Sequence, residues 1–145
     1  MKELPHIYQV SAKSQLTSHL NLNIDNLPSL EIAAPIGFNG PGDVWSPEDL
    51  FISSIASCTV LSFKAIARAS KLDWISIECF SEGVLDRLEG KTQFTKVNTK
   101  VKLVIPKEAS KDKAEKLIIK AEASCLISNS ITAKSHIESD IYFET

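Results

Sequence analysis

The segment "SPEDLFISSIASCTVLSFKAIARAS", residues 46–70, decides the architecture of this protein. Ser46 belongs to the residue types that cap helices, and Pro47 suits the first helical position. Glu48 and Asp49 then place negative charge in the first turn, where the helix dipole favours it. The residues that follow are apolar on almost every helical face, a pattern typical of a helix buried on all sides. We therefore predict a long central helix that begins at Pro47 and is buried all round.

The residues before this helix predict a small sheet and a loop. Residues 6–33 alternate between apolar and polar at period two, which indicates half-buried strands that turn at "AKSQ" (residues 12–15) and "DNLP" (residues 25–28). Residues 34–45, "APIGFNGPGDVW", hold three of the five glycines and two of the six prolines. Such a composition predicts an irregular loop, long enough to suggest a role in a site.

The residues after the helix predict a hairpin, a second helix and a last strand. Residues 75–105 alternate in polarity on both sides of "RLEGK", which predicts a hairpin that turns near Gly90. Residues 106–125 show the spacing of an amphipathic helix, and residues 135–144 look like a final strand. The inward-facing positions of that helix are Ala114, Leu117, Ile118 and Ala121. Strands that flank two helices, with no internal repeat, predict one α+β domain over residues 1–145.

Composition excludes several classes of function. A formal net charge of −2, with 43% hydrophobic and 23% charged residues, argues against a nucleic-acid or anionic-membrane surface. The first residues lack the apolar run of a signal peptide, and serine, lysine and arginine interrupt the most apolar window, residues 50–69. We expect a soluble, cytoplasmic protein with no nucleic-acid partner and no membrane segment.

The three cysteines and three histidines do not form a metal-binding pattern. Cys58, Cys79 and Cys125 are separated by 20 and 45 residues, which fits neither a secreted disulfide framework nor the paired spacing of a zinc site. No two histidines are spaced as metal ligands on one helix, and the glycines lack the spacing of a phosphate-binding loop. We therefore expect no metal and no cofactor. Cys79, on the apolar face of its strand, is interpreted as core filler.

Two interpretations of Cys58 stay open at this point. A buried, unreactive thiol is the ordinary one, because apolar surroundings raise a thiol pKa and the helix start is several turns away. The functional one requires a cation from another segment. Glu48, ten residues earlier and about 15 Å away along a regular helix, is too far to touch the sulfur but could hold such a cation. Cys125, which ends the second helix before the polar "SNS" at residues 128–130, is equally open.

The pair of motifs "SPEDLFISSIASC" (residues 46–58) and "CLISNS" (residues 125–130) resembles the OsmC/Ohr superfamily, the osmotically inducible and organic-hydroperoxide-resistance proteins. The resemblance covers nearly the whole chain. It implies an α+β fold with antiparallel sheets around a long central helix, in an intertwined homodimer with two active sites at the interface. It also implies that Cys58 attacks a small organic hydroperoxide and becomes sulfenic acid, which Cys125 resolves as a disulfide. A small or protein-bound dithiol would then reduce the disulfide.

The chain departs from this family in two places: "CLIS" (residues 125–128) stands where the family commonly has "CPxS", and an arginine that matters for catalysis is absent. The family stabilises its reactive thiolate with an arginine from the N-terminal strands, held by a glutamate that matches Glu48. Here the only arginines are Arg68 and Arg87, and Lys13 in the "AKSQ" turn falls near the expected place. An ammonium lacks the planar fork that contacts thiolate and carboxylate together. The predicted site is therefore Cys58, Cys125, Glu48 and Lys13.

The missing arginine keeps two alternatives to a peroxidase open. One is a module of this fold that binds a hydrophobic ligand. The other is a redox sensor whose two motif cysteines form a disulfide without efficient turnover.

Overall fold

The computed structural model describes the whole chain, residues 1–145, whose contacts divide it into two compact units, Met1–Leu50 and Phe51–Thr145. The first unit contains a three-stranded antiparallel sheet in the order β1-β2-β3, and the "DNLP" turn connects its last two strands. The predicted meander is therefore confirmed, but its first turn comes later than the predicted "AKSQ", because Ala12 and Lys13 belong to the first strand. Its strands are β1 (Ser11–Lys13), β2 (Leu20–Asn23) and β3 (Leu30–Ile32).

The apolar side chains of this sheet are less covered than the alternating pattern predicts. Leu20 and Leu22 are half-buried as expected, and Ile32 is fully buried. Leu16, however, is 100% exposed, and Ile24 is exposed as well. The prediction of half-burial was wrong for these two residues. An alternating pattern shows which side chains share a face of a strand, but it does not show whether another part of the protein covers that face.

The glycine-rich segment before the long helix is irregular, as predicted, apart from one 3₁₀ turn at Ile36–Phe38. A side chain at Gly40 would overlap the backbone of Ala34, so the chain can fold back on itself only because this residue is glycine. The segment ends where the Ala33 N–H donates to the Trp45 carbonyl at 3.1 Å. This bond fixes the point at which the helix begins.

The long helix, α1 (Pro47–Ala69), begins at the predicted residue. Asp49 Oδ2 accepts hydrogen bonds from the Ser46 N–H (2.9 Å) and the Ser46 hydroxyl (2.8 Å). In return the Asp49 N–H donates to the Ser46 hydroxyl at 3.1 Å. This reciprocal arrangement is a capping box in which an aspartate replaces the usual glutamate.

The prediction that α1 is buried all round was wrong. One stripe of the helix is buried, and its members recur every fourth residue: Ile55, Thr59, Phe63 and Ala67. Outside this stripe Leu61 is 64% exposed. The helix is long and apolar enough to cross a membrane, a test that the core helix of a soluble protein also passes. A helix with apolar residues on every face has apolar surface to bury on all sides, but in this chain only one side of the helix is buried.

The second unit is built on a long hairpin. Strand β4 (Ser76–Leu88) pairs antiparallel with β5 (Lys91–Ile105), and the two residues between them, Glu89 and Gly90, both have positive φ. Two such residues make the turn that suits the twist of a hairpin. The predicted turn near Gly90 is confirmed.

A helix and a final strand complete this unit. Helix α2 (Lys111–Ala123) buries the four predicted positions, and β6 (Lys134–Phe143) pairs with β5. That pairing is parallel, so the sheet β4-β5-β6 is mixed rather than antiparallel as expected. The reason is that α2 carries the chain back across the sheet before β6 begins, as a parallel connection requires. The α+β fold class is confirmed.

Helix α1 packs closely on this mixed sheet within the second unit. A methyl group at Gly83 of β4 would overlap the side chains of Ile52 and Phe94, so the glycine lets the helix approach the strand. Further along, Phe63 meets Trp74 edge to face, with 5.7 Å between ring centroids. These two contacts fix the height and rotation of α1, and with them the position of Cys58.

Candidate active site

Cys58 lies near the middle of α1, beside the buried stripe, and its side chain is half-buried. Its sulfur is 3.9 Å from the hydroxyl of Ser62, one turn further along the same helix. The neighbouring Thr59 is buried and donates to the Ile55 carbonyl within the helix, so it is not free to act on the thiol. On α1, therefore, Ser62 is the polar side chain in contact with Cys58.

Cys125 is fully buried just after α2, in a compact turn. Its N–H donates to the Glu122 carbonyl, and its own carbonyl accepts from the Asn129 N–H at 3.0 Å. The Asn129 side chain donates to the Ala123 carbonyl, which satisfies a free carbonyl at the helix end. Asn129 of the "SNS" segment thus closes the end of α2, and Cys125 lies within the same turn.

The fold brings the two motif cysteines together. The Cys125 thiol and the backbone N–H groups of Ile127 and Leu126 lie near the Cys58 sulfur and favour its thiolate form. Burial raises the pKa of Cys58, but these donors together with the Ser62 hydroxyl outweigh burial and hold the pKa below that of an ordinary thiol. The causes of this lowered pKa lie in neighbouring groups and not in the dipole of α1.

The pKa of Cys125 is shifted in the opposite direction, upward. Burial raises its pKa, and the hydrogen bond to Cys58 raises it further, because the proton is needed for that bond. The Ser128 N–H, 3.5 Å from the Cys125 sulfur, acts in the other direction without reversing the shift. The Ser128 hydroxyl oxygen is also near, but it is buried and has no partner in hydrogen-bond geometry. The site thus pairs a thiol whose pKa is lowered with one whose pKa is raised.

The backbone donors at Leu126 and Ile127 were not predicted from the sequence. Every residue except proline carries an N–H group, so no residue type signals where these donors will point. The family motif commonly has proline directly after the second cysteine, whereas this chain has Leu126 and therefore keeps that N–H. The departure noted in "CLIS" adds a donor to the site.

The other two predicted site residues are not brought to the sulfur by any contact in the structure. Glu48 lies in the first turn of α1, and its Oε2 atom is buried with no hydrogen-bond partner. Lys13 lies at the end of β1 and is exposed. The two arginines do not replace it: Arg68 is in the last turn of α1, and Arg87 donates to the Gly90 carbonyl at the hairpin turn. The roles of Glu48 and Lys13 stay predictions.

These pKa shifts predict the order in which the three thiols react with iodoacetamide. Only the thiolate alkylates, so as pH rises Cys58 should react first, while Cys79 and Cys125, whose pKa values are raised, should follow at higher pH. Mass spectrometry of peptides after short labelling pulses would give the pH midpoint for each cysteine. In urea the three midpoints should coincide, and coincidence in the folded protein would contradict the assignment.

Comparison with known proteins places this geometry in a family. The model of the family described as "OsmC-like protein" matches residues 40–140, which include both motif cysteines. The uncharacterized protein YmaD of Bacillus subtilis is 28% identical over 110 residues, which cover 74% of this chain and 73% of YmaD.

Two solved structures share the fold. An OsmC-like protein of unknown function from Vibrio cholerae superposes with a TM-score of 0.80 at 22% identity, covering 92% of this chain and 100% of the other. An organic hydroperoxide resistance protein, OsmC, from Legionella pneumophila superposes with a TM-score of 0.71 at 24% identity, covering 95% and 99%. Because the family model spans well over half of the residues, including those that form the two-thiol site, this chain belongs to the OsmC-like protein family.

Proposed function

We propose that this protein is a thiol peroxidase that reduces small organic hydroperoxides through Cys58 and Cys125. The observation that carries the proposal is the proximity of two unlike thiols, one with a lowered and one with a raised pKa. A nucleophile and a resolving thiol need this difference, because the first must be ionised when the peroxide arrives and the second must not compete with it. The name of the Legionella protein supports the choice of substrate.

The reaction proceeds in three balanced steps. The Cys58 thiolate attacks one peroxide oxygen, the O–O bond breaks, and the alkoxide takes a proton from water and leaves as an alcohol. The sulfur of Cys125 then attacks the Cys58 sulfenic acid, and the thiol proton leaves with the hydroxyl group as water. A dithiol finally reduces the Cys58–Cys125 disulfide by exchange, which restores both thiols and leaves the dithiol oxidised.

The chain's own groups act mainly on the first step. The N–H groups of Leu126 and Ile127 stabilise the negative charge on Cys58 before attack. The proximity of Cys125 to Cys58 favours resolution, because the resolving sulfur is already near the atom that it attacks. We propose in addition that the Lys13 ammonium, held by Glu48, supplies the missing cation. The buried Glu48 oxygen without a partner supports this role.

We also propose that the protein is a cytoplasmic homodimer with its active sites at the interface. The apolar side of α1 left uncovered in the single chain supports the dimer, because a stable soluble protein rarely leaves a long apolar face in water. Free thiols in all three cysteines suit a reducing compartment. Sedimentation should show a dimer, and Leu61→Glu, at an exposed apolar position, should shift it toward the monomer. A monomeric wild-type protein would contradict the dimer.

The function is tested by comparing two oxidants with the reduced wild-type protein. With a dithiol present, cumene hydroperoxide should be consumed catalytically and faster than hydrogen peroxide, since the exposed apolar side of α1, which includes Leu61 three residues from Cys58, favours the organic substrate. Free-thiol counts during the reaction should fall by two per chain and recover when peroxide is exhausted. Rapid disulfide formation without turnover would indicate a redox sensor, and loss of no thiols would indicate a ligand-binding module; either result would reject the peroxidase.

A further inference from the structure

The hydroxyl of Ser62 differs from the other hydroxyls of α1 in what it contacts. A serine or threonine within a helix commonly donates to a backbone carbonyl three or four residues earlier. The α1 hydroxyls that do so are those of Ser54 (to Phe51, 2.6 Å), Ser57 (to Ser53, 2.7 Å) and Thr59 (to Ile55, 2.9 Å). Ser62 has the Cys58 carbonyl four residues earlier, yet its oxygen meets the Cys58 sulfur instead, at 3.9 Å. The Ser62 hydroxyl is therefore directed at the reacting atom and not at the backbone.

The ionisation of Cys58 decides which of these two atoms donates. A thiol and a hydroxyl can each donate, but a thiolate has no proton, so in the reactive form of the site the Ser62 hydroxyl is the donor. The lowered pKa of Cys58 agrees with this direction, since the Ser62 hydroxyl is among its causes. Both side chains are half-buried, which leaves part of each open to a molecule that reaches the sulfur.

Cleavage of a hydroperoxide needs a proton at the oxygen that departs. An alkoxide is a strong base and a poor leaving group, so a donor that bonds to it while its charge develops lowers the barrier. Two side chains at Cys58 carry a proton of this kind, those of Ser62 and Cys125. The proton of Cys125 is used in the resolving step, where it leaves with the hydroxyl group as water. Ser62 is thus the side chain whose proton the first step can use.

We propose that Ser62 is a catalytic residue that relays a proton from water to the departing alkoxide when Cys58 attacks the hydroperoxide. The inference rests on the proposed function. As the S–O bond forms and the O–O bond breaks, the electron pair of the broken bond leaves on the alkoxide oxygen, which takes the Ser62 proton and becomes an alcohol. Water returns a proton to Ser62, and the resulting hydroxide carries the negative charge that began on Cys58. The sulfur loses two electrons and the hydroperoxide gains them.

Two oxidants with different leaving groups test the relay. Cumene hydroperoxide releases an alkoxide, which needs a proton, whereas peracetic acid releases acetate, a weak base that needs none. In Ser62→Ala, single-turnover oxidation of Cys58 should slow about 10²-fold with cumene hydroperoxide and no more than about threefold with peracetic acid. Stopped-flow rates are divided by the thiolate fraction of Cys58, taken from the iodoacetamide midpoints, so that a change in pKa alone has no effect on the comparison.

Two further variants separate the relay from a structural role. Ser62→Thr keeps a hydroxyl and should recover most of the rate with cumene hydroperoxide. Ser54→Ala, one helical turn before Cys58, loses a hydroxyl that is bonded to the backbone and should keep wild-type rates with both oxidants. Equal slowing with both oxidants in Ser62→Ala, no slowing at all, or the same loss in Ser54→Ala would overturn the relay and leave the peroxidase intact. A wild-type Cys58 that cumene hydroperoxide does not oxidise would overturn both.

Discussion

Cys58→Ser is expected to abolish hydroperoxide turnover, lowering kcat/KM by a factor of about 10³ or more. A serine hydroxyl at this position stays protonated near neutral pH, since the donors around it act on a group whose pKa is far above that of a thiol. The O–O bond then meets no anionic nucleophile. Initial rates with cumene hydroperoxide and a dithiol give the effect directly.

The neighbouring residue offers a matched control for this variant. Ser57 is exposed, and its hydroxyl donates to the Ser53 carbonyl within α1, on a side of the helix away from the two-thiol contact. Ser57→Ala changes the same helical turn and should keep wild-type rates. Equal losses in the two variants would mean that the helix had been disturbed, and full activity in Cys58→Ser would refute the assignment of the nucleophile.

Replacing Cys125 should have the second largest effect and should separate its two roles. Both Cys125→Ser and Cys125→Ala remove the resolving sulfur, so the Cys58 sulfenic acid should persist and be trapped by dimedone after one equivalent of hydroperoxide. Turnover with the dithiol should fall roughly tenfold or more, because reduction must then occur on a sulfenic acid that is shielded and open to overoxidation.

The two variants should differ in the pH dependence of the first step. Cys125→Ala also removes a hydrogen-bond donor from the Cys58 thiolate, so the pKa of Cys58 should rise and its oxidation should need a higher pH. Cys125→Ser keeps a hydroxyl donor and should shift the profile less. Stopped-flow oxidation of each variant across pH measures this difference. Ser124→Ala, which loses the hydroxyl bonds to the Lys120 and Ala121 carbonyls, is the control.

Local chemistry explains why some features were predictable from the sequence. The start of α1 follows from Ser46, Pro47 and Asp49, whose capping bonds involve residues at most three apart. The hairpin turn follows from Gly90, because few residues other than glycine adopt positive φ without strain. The buried face of α2 follows in the same way from the spacing of its apolar residues.

Features that depend on segments far apart in the sequence could not be predicted from local sequence patterns. The parallel pairing of β6 depends on where α2 returns the chain, and the exposure of Leu61 depends on what lies outside the helix. The apolar residues around Cys58 and its distance from the helix start likewise favoured an ordinary buried thiol. They could not foresee that the turn after Cys125 would place a thiol and two N–H groups against it. Only the paired motifs indicated that the two cysteines belong together.

The parallel pairing of β5 and β6 has a consequence for how the protein matures. Cys125 lies within the connection between these strands, and the β6 partner of β5 ends only at Phe143. Such a connection closes late in folding, because distant segments must be brought together first. The pKa of Cys58 should therefore fall only when the turn after Cys125 has reached α1, because the groups that lower this pKa belong to that late connection.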